Sequence, residues 1–179
     1  MILAVLVGLS GPLYPQQGKF LEQRKRMVEE QIMKRGISNQ KVLEAILKVP
    51  REEFVPPSLK RFAYQDRALP IGENQTISQP YIVALMSSLL DPQEEDRVLE
   101  VGTGSGYQAA VLAEVCREVY TIEIIKSLAD SARKRLERLG YKNVKVRWGD
   151  GFLGWQEYSP FDKIIITCSI DDFPFKLIE

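Results

Sequence analysis

Residues 98–110 read VLEVGTGSGYQAA. An apolar run interrupted only by Glu100 leads into glycines at 102, 104 and 106, and apolar residues resume at once. Glycine has no Cβ, so such a run lets the backbone turn sharply and come close to a ligand. The stretch therefore reads as a strand, a ligand-facing loop and the start of a helix. Downstream the alternation continues. YQAAVLAEVC (107–116) has helical spacing, EVYTIEI (118–124) reads as a strand, and SLADSARKRLERL (127–139) is a helix closed by Gly140. NVKVRWGD (143–150) and FDKIIIT (161–167) are two more strands. Strands alternating with helices imply βαβ units and a parallel sheet, and near-continuous apolar strands imply helices on both of its faces. The predicted fold is α/β, a Rossmann-like, doubly wound, mostly parallel sheet with N-terminal helices.

Upstream, FLEQRKRMVEEQIMKR (20–35) has helical spacing, with Gly36 as its stop. ISNQKVLEAILKVP (37–50) reads as a helix with Ser38 as N-cap, Val42, Leu43, Ile46 and Leu47 as the buried stripe, and Pro50 at the end. Residues 51–80 are long and rich in Pro, Gly and polar residues, the mark of a functional loop. PYIVALMSSLLD (80–91) then forms a helix with Pro80 in its first turn, capped by Ser78 or Gln79. Residues 20–179 read as one domain, with a helical and loop part over 20–78 and a cofactor-binding core over 79–179. Residues 1–19 are an apolar N-terminal segment, too short to span a bilayer. It reads as a signal-peptide remnant, as residues ahead of a native start at Met27, or as a short element of the domain. The location expected is cytoplasmic, with export as the alternative.

Composition narrows the chemistry. The 179 residues carry 24 Lys plus Arg and 24 Asp plus Glu, which gives no basic excess for nucleic acid. There is no histidine, so imidazole bases, histidine triads and His-ligated zinc are excluded. Cys116 and Cys168 sit in apolar stretches and read as two buried free thiols. No metal site is expected.

In an open parallel sheet, ligands bind beyond the C-terminal strand ends, near the point where strand order reverses. The loop Gly102, Thr103, Gly104, Ser105 and Gly106 falls there. The spacing departs from the dinucleotide fingerprint G-x-G-x-x-G, since Tyr107 stands where the third glycine belongs. Glu100 would repel a pyrophosphate and attract a cation. These features favour S-adenosylmethionine, which carries a sulfonium and an ammonium, over a nicotinamide dinucleotide. Glu123, followed by Ile124, ends the second strand, where an acid can accept hydrogen bonds from both ribose hydroxyls. Asp150 ends the third strand in reach of an adenine amino group, and Gly151 lets the backbone approach the ring. Each has a plain structural reading too: a salt-bridge partner, a strand-end charge and a turn.

VLEVGTGSGYQ, VYTIEI and GDG resemble class I S-adenosylmethionine-dependent methyltransferases. AYQDRALPIGENQTISQP (63–80) and MVEEQIMKRGI (27–37) narrow the resemblance to the protein-L-isoaspartate O-methyltransferase family, from about Met27 to about Thr167. The resemblance implies methyl transfer from S-adenosylmethionine to the α-carboxylate of L-isoaspartyl residues in damaged proteins and peptides, with S-adenosylhomocysteine as product. It implies Ser78 as the active-site residue, and Gln75, Thr76 and Ile77 with it along the cleft. Without it, Ser78 reads as a helix cap. After FDKIIIT the sequence CSIDDFPFKLIE replaces the family's small-residue run, so the C-terminal strands of the family fold are expected to be missing. The alternatives are an impaired cofactor-binding fragment and a class I methyltransferase with another substrate. The expected partners are isoaspartyl proteins and peptides. No nucleic acid and no stable membrane insertion are expected, and the chain reads as a monomer able to self-associate through an open sheet edge.

Overall fold

A computed structural model describes residues 15–170, 172 and 174–177. The apolar stretch 1–14, with the export reading attached to it, lies outside the described residues. No helix among the described residues is long and apolar enough to cross a membrane.

α1 (Pro15–Met27) runs on without a break into a wider π turn, Val28–Ile32, and a tighter 3-10 turn, Met33–Arg35. Gly36 ends the run at φ +94°, the left-handed stop expected of it. α2 (Gln40–Lys48) is capped by Asn39 rather than Ser38. The Asn39 side chain accepts from the Val42 amide at 3.2 Å, and Val42 stands three residues on, where a cap must reach. Ser38 stands one residue too early. Val42, Leu43 and Ile46 are buried as the stripe predicts, Ala45 joins them, and Leu47 packs half-buried against the same cluster.

A buried polar knot ties these helices together. Arg24 donates to the carbonyls of Leu47 and Lys48 at 3.1 and 3.0 Å, closing the end of α2. It also donates to the Tyr64 hydroxyl at 2.9 Å and pairs with Glu52, to which that hydroxyl donates in turn. Each polar atom that leaves water here gains a partner, which burial requires.

Residues 51–80 are more ordered than the sequence suggests. Two 3-10 turns, Arg51–Phe54 and Pro57–Phe62, lead to a hairpin of β1 (Leu69–Gly72) and β2 (Gln75–Ile77). Its two-residue turn has Glu73 at φ +52° and Asn74 at φ +55°, the double left-handed geometry that fits the strand twist. α3 (Pro80–Leu90) follows. Gln79 holds the cap position and makes no side-chain cap bond, so neither Gln79 nor Ser78 caps the helix.

The remaining elements are β3 (Arg97–Val101), α4 (Tyr107–Ala113), β4 (Glu118–Glu123), α5 (Lys126–Arg138), β5 (Val144–Trp148) and β6 (Lys163–Ile166). The four strands form one parallel sheet in the order β5-β4-β3-β6. The chain winds one way from β3 to β5, then crosses to the far side of β3. Strand order thus reverses between β3 and β6, and the crevice at their C-terminal ends is where ligands bind in such sheets. β3 and β4, flanked on both sides, are buried from Val98 to Val101 and from Val119 to Glu123. Cys116 is buried as expected, whereas Cys168 is exposed, because it follows β6 into the mouth of the crevice.

Candidate cofactor and substrate site

A cavity of about 380 Å³ opens at the C-terminal ends of the parallel strands. Its floor is the loop after β3, Gly102 to Ser105, and its sides are Glu123 and Ile124 after β4 and Asp150 and Gly151 after β5. Gln75, Thr76, Ile77 and Ser78 of the hairpin and the link to α3 close it from above. Twelve of the fourteen residues singled out in the sequence meet at this one cavity. Glu100 and Gly106 stay outside its lining.

Glu123 organises the floor. One carboxylate oxygen accepts from the Gly104 amide at 2.8 Å and the other from the Ile125 amide at 2.9 Å. The residue is 6% exposed. A carboxylate has about four acceptor sites, so about two remain for a ligand's hydroxyls. The same group thus shapes the glycine loop and keeps acceptor capacity at the cavity. Gly102 turns at φ +100°, its amide donates to Ile122 at 2.9 Å, and its carbonyl accepts from the Thr167 hydroxyl at 2.6 Å. A Cβ there would stand 3.0 Å from the Cys168 Cβ. Thr103 and Thr121 share a buried hydroxyl–hydroxyl bond of 2.6 Å beneath the loop.

Asp150 is exposed at the rim and caps the turn Gly151–Leu153 by accepting from the Phe152 amide at 2.9 Å. Gly151 is buried, and the reason differs from the one read in the sequence. A Cβ on it would overlap Val101 Cγ1, so the missing side chain makes room for the protein's own core as well as for a ligand.

Glu100 corrects the sequence reading. It stands one residue before the end of β3, fully buried beside Thr121, and neither carboxylate oxygen finds a hydrogen-bond partner. Burial pushes its pKa up to about 8, the neighbouring Thr121 hydroxyl opposes this, and the negative Glu123 adds to the rise. The charge that borders the cavity is that of Glu123, not Glu100. Gly106, at φ +85°, is the turn into α4, and a Cβ on it would press to 3.1 Å from Leu136 of α5.

Ser78 borders the cavity half-buried, and its carbonyl accepts from the Arg51 guanidinium at 2.7 Å. The sequence reading missed Val83, Tyr107 and Gln108, which form the wall between α3 and α4, and Thr167, Cys168 and Ser169 after β6. The last three were accessible to the strand-end rule that found Glu123 and Asp150. Val83 and Tyr107 carry the apolar signature of ordinary helix packing, and Gln108 is a buried polar residue that donates to the Ser87 hydroxyl at 2.8 Å. No group of acids and cysteines suited to a metal ion occurs among the described residues.

The family profile described as protein-L-isoaspartate(D-aspartate) O-methyltransferase matches residues 22–179. A protein-L-isoaspartate O-methyltransferase of Dictyoglomus turgidum is 56% identical over 162 residues, 90% of this chain and 73% of its own length. One of Opitutus terrae is 49% identical over the whole of this chain and 76% of its own length. A solved protein-L-isoaspartate O-methyltransferase superposes with a TM-score of 0.76 at 33% identity, over 87% of this chain and 51% of the other. A protein from Plasmodium falciparum described as such a methyltransferase, in complex with S-adenosyl-L-homocysteine, shares the fold with a TM-score of 0.75 at 24% identity, over 87% of this chain and 78% of the other. With a family profile matched over residues 22–179, a relative 56% identical and a solved member of the same fold, the chain belongs to the protein-L-isoaspartate O-methyltransferase family.

Proposed function

We infer that the chain is a protein-repair methyltransferase, which transfers a methyl group from S-adenosylmethionine to the α-carboxylate of L-isoaspartyl residues. The observation that carries this reading is the convergence of Gln75 to Ser78 with the glycine loop on one cavity, in a chain of this family. S-adenosylmethionine, when bound, supplies a methyl group already activated by the positive sulfur. The residues present suit it. Glu123 keeps acceptor capacity for ribose hydroxyls, Gly102 and Gly104 keep the floor free of side chains, and exposed Ile124 and the Asp150 rim suit a flat base.

A carboxylate oxygen of the isoaspartyl residue forms the new bond to the methyl carbon. The carbon–sulfur bond breaks, and its electron pair stays on sulfur. No proton moves, because the carboxylate is already ionised at neutral pH. A chain without histidine therefore lacks nothing for this step. What remains for the protein is to bind, align and exclude water. Ser78 stands where the hairpin joins α3 and is free of cap duty, so its hydroxyl can hold the carboxylate in line with the methyl carbon. The reaction belongs in the cytoplasm, where S-adenosylmethionine is made.

The test is methyl transfer by wild type and Ser78→Ala to an isoaspartyl peptide and to its aspartyl twin, with S-adenosylhomocysteine titrated calorimetrically into both proteins. Wild type is expected to methylate the isoaspartyl peptide alone, and Ser78→Ala to lose turnover while binding the cofactor product normally. Equal transfer to both peptides overturns the substrate reading, and full activity of the variant overturns the role of Ser78.

A further inference from the structure

We propose that Arg51 is a positioning residue for methyl transfer: a buried cation that sets the Ser78 backbone and, through it, the Ser78 hydroxyl. The proposal rests on the orienting role of Ser78 given above. Arg51 has no exposed surface and opens a short 3-10 turn in which Glu52 and Phe54 are buried with it. Its Nε donates to the Ala63 carbonyl at 2.8 Å and its Nη2 to the Ser78 carbonyl at 2.7 Å. Its guanidinium carbon lies 4.7 Å from the centre of the Tyr107 ring, which itself lines the cavity. Nη1 makes no hydrogen bond. Among the described residues no carboxylate lies within 4 Å of it; its sequence neighbour Glu52 is taken up by Arg24 and Tyr64.

A buried, unpaired charge is costly, so it needs a reason to be there. A structural bond between two carbonyls could be made by a neutral donor. A guanidinium adds two things: a planar fork that fixes both carbonyls at once, and a positive charge close to where an anionic substrate docks. The fork spans residues 63 and 78, the two ends of the segment that carries the hairpin. It therefore fixes the hairpin's far end against the rest of the chain, and Ser78 is the residue at that end. Arg51 is absent from the cavity lining, so it acts through Ser78 and Tyr107 and does not touch substrate.

The experiment is a double-mutant cycle in the full chain with Arg51→Lys, which keeps the charge and loses the fork, Ser78→Ala, and both together. Arg51→Gln is a second variant, which keeps a neutral donor. The readouts are kcat and KM for an isoaspartyl peptide and calorimetric affinity for S-adenosylhomocysteine. Arg51→Lys is expected to lower kcat/KM about ten- to a hundredfold, the worth of one hydrogen bond from a charged group. Arg51→Gln should lower it further. Both should bind S-adenosylhomocysteine within about threefold of wild type, because the Glu123 wall is intact, and the double variant should be no worse than Ser78→Ala alone. Additive losses in the double variant overturn the proposal and leave the Ser78 reading standing. If Ser78→Ala is itself fully active, both fall. If neither Arg51 variant binds S-adenosylhomocysteine, Arg51 holds the fold and the positioning role is withdrawn.

Discussion

Replacing Glu123 with glutamine keeps the shape of the side chain and removes what the site uses. The two carboxylate oxygens accept from the Gly104 and Ile125 amides at 2.8 and 2.9 Å. In Glu123→Gln one of those oxygens becomes an NH2 group. Whichever way the amide turns, a donor then faces a donor. The loss is one hydrogen bond to a charged acceptor, about 1.5–3 kcal/mol, plus a nearly buried backbone N–H left unpaired at about 1–3 kcal/mol. Part of this falls on the folded state and part on the complex. The melting temperature should therefore drop by several degrees, at about 2–4 °C per kcal/mol for a chain of this size. Affinity for S-adenosylhomocysteine should drop about ten- to a hundredfold, since a factor of ten is about 1.4 kcal/mol. Calorimetric titration gives the affinity, and a thermal melt of the ligand-free protein gives the stability. A variant that binds and melts like wild type would refute the reasoning, because neither the lacing of the loop nor the proposed ribose contact would then need a carboxylate.

Gly151→Ala should destabilise the fold by about 1–3 kcal/mol, the usual cost of overpacking, because its methyl would overlap Val101; denaturant midpoints should show Val101→Ala in the same chain recovering part of the loss. Glu100 has its folded-state pKa raised from 4.5 to about 8, so the folded state holds a proton that the unfolded chain has released. The stability of the ligand-free protein should then fall as pH rises from about 4.5 to about 8 and level off above; Glu100→Gln should be flatter over that window in pH-dependent melts, and an equal slope would contradict the burial argument. Ser127→Ala removes the 2.8 Å bond by which α5 holds Glu73 at the hairpin tip. Both groups are exposed, so global stability should change by about 0.5 kcal/mol or less, while hydrogen exchange at the amides of Gln75 to Ile77 should quicken.

The alternation of strands and helices after residue 97 is readable because apolar period and chain breaks agree there. The hairpin is not, because its turn is Glu73-Asn74, without the glycine that usually marks a left-handed pair, and Pro70 sits inside its first strand. The two acids near the glycine loop show a subtler limit. Glu100 and Glu123 look alike in sequence, each at the end of an apolar run. One residue of strand register separates them: Glu123 is the last residue of β4 and reaches the loop, whereas Glu100 precedes the last residue of β3 and is buried beside Thr121. Arg51 was invisible for a similar reason, since an arginine in REEF reads as surface charge until the fold places the Ala63 and Ser78 carbonyls around it.

The bond from the Thr167 hydroxyl to the Gly102 carbonyl has a consequence for how the protein is made. The glycine loop leaves the ribosome some 65 residues before the residue that fixes it, and β3 gains its second neighbour only when β6 arrives. Such long-range pairings close late. A nascent chain halted between the two would hold the whole cofactor motif and still lack its finished shape. Nascent chains stalled at successive lengths should therefore acquire affinity for S-adenosylhomocysteine in one step, after residue 167 has emerged, rather than gradually as the motif lengthens.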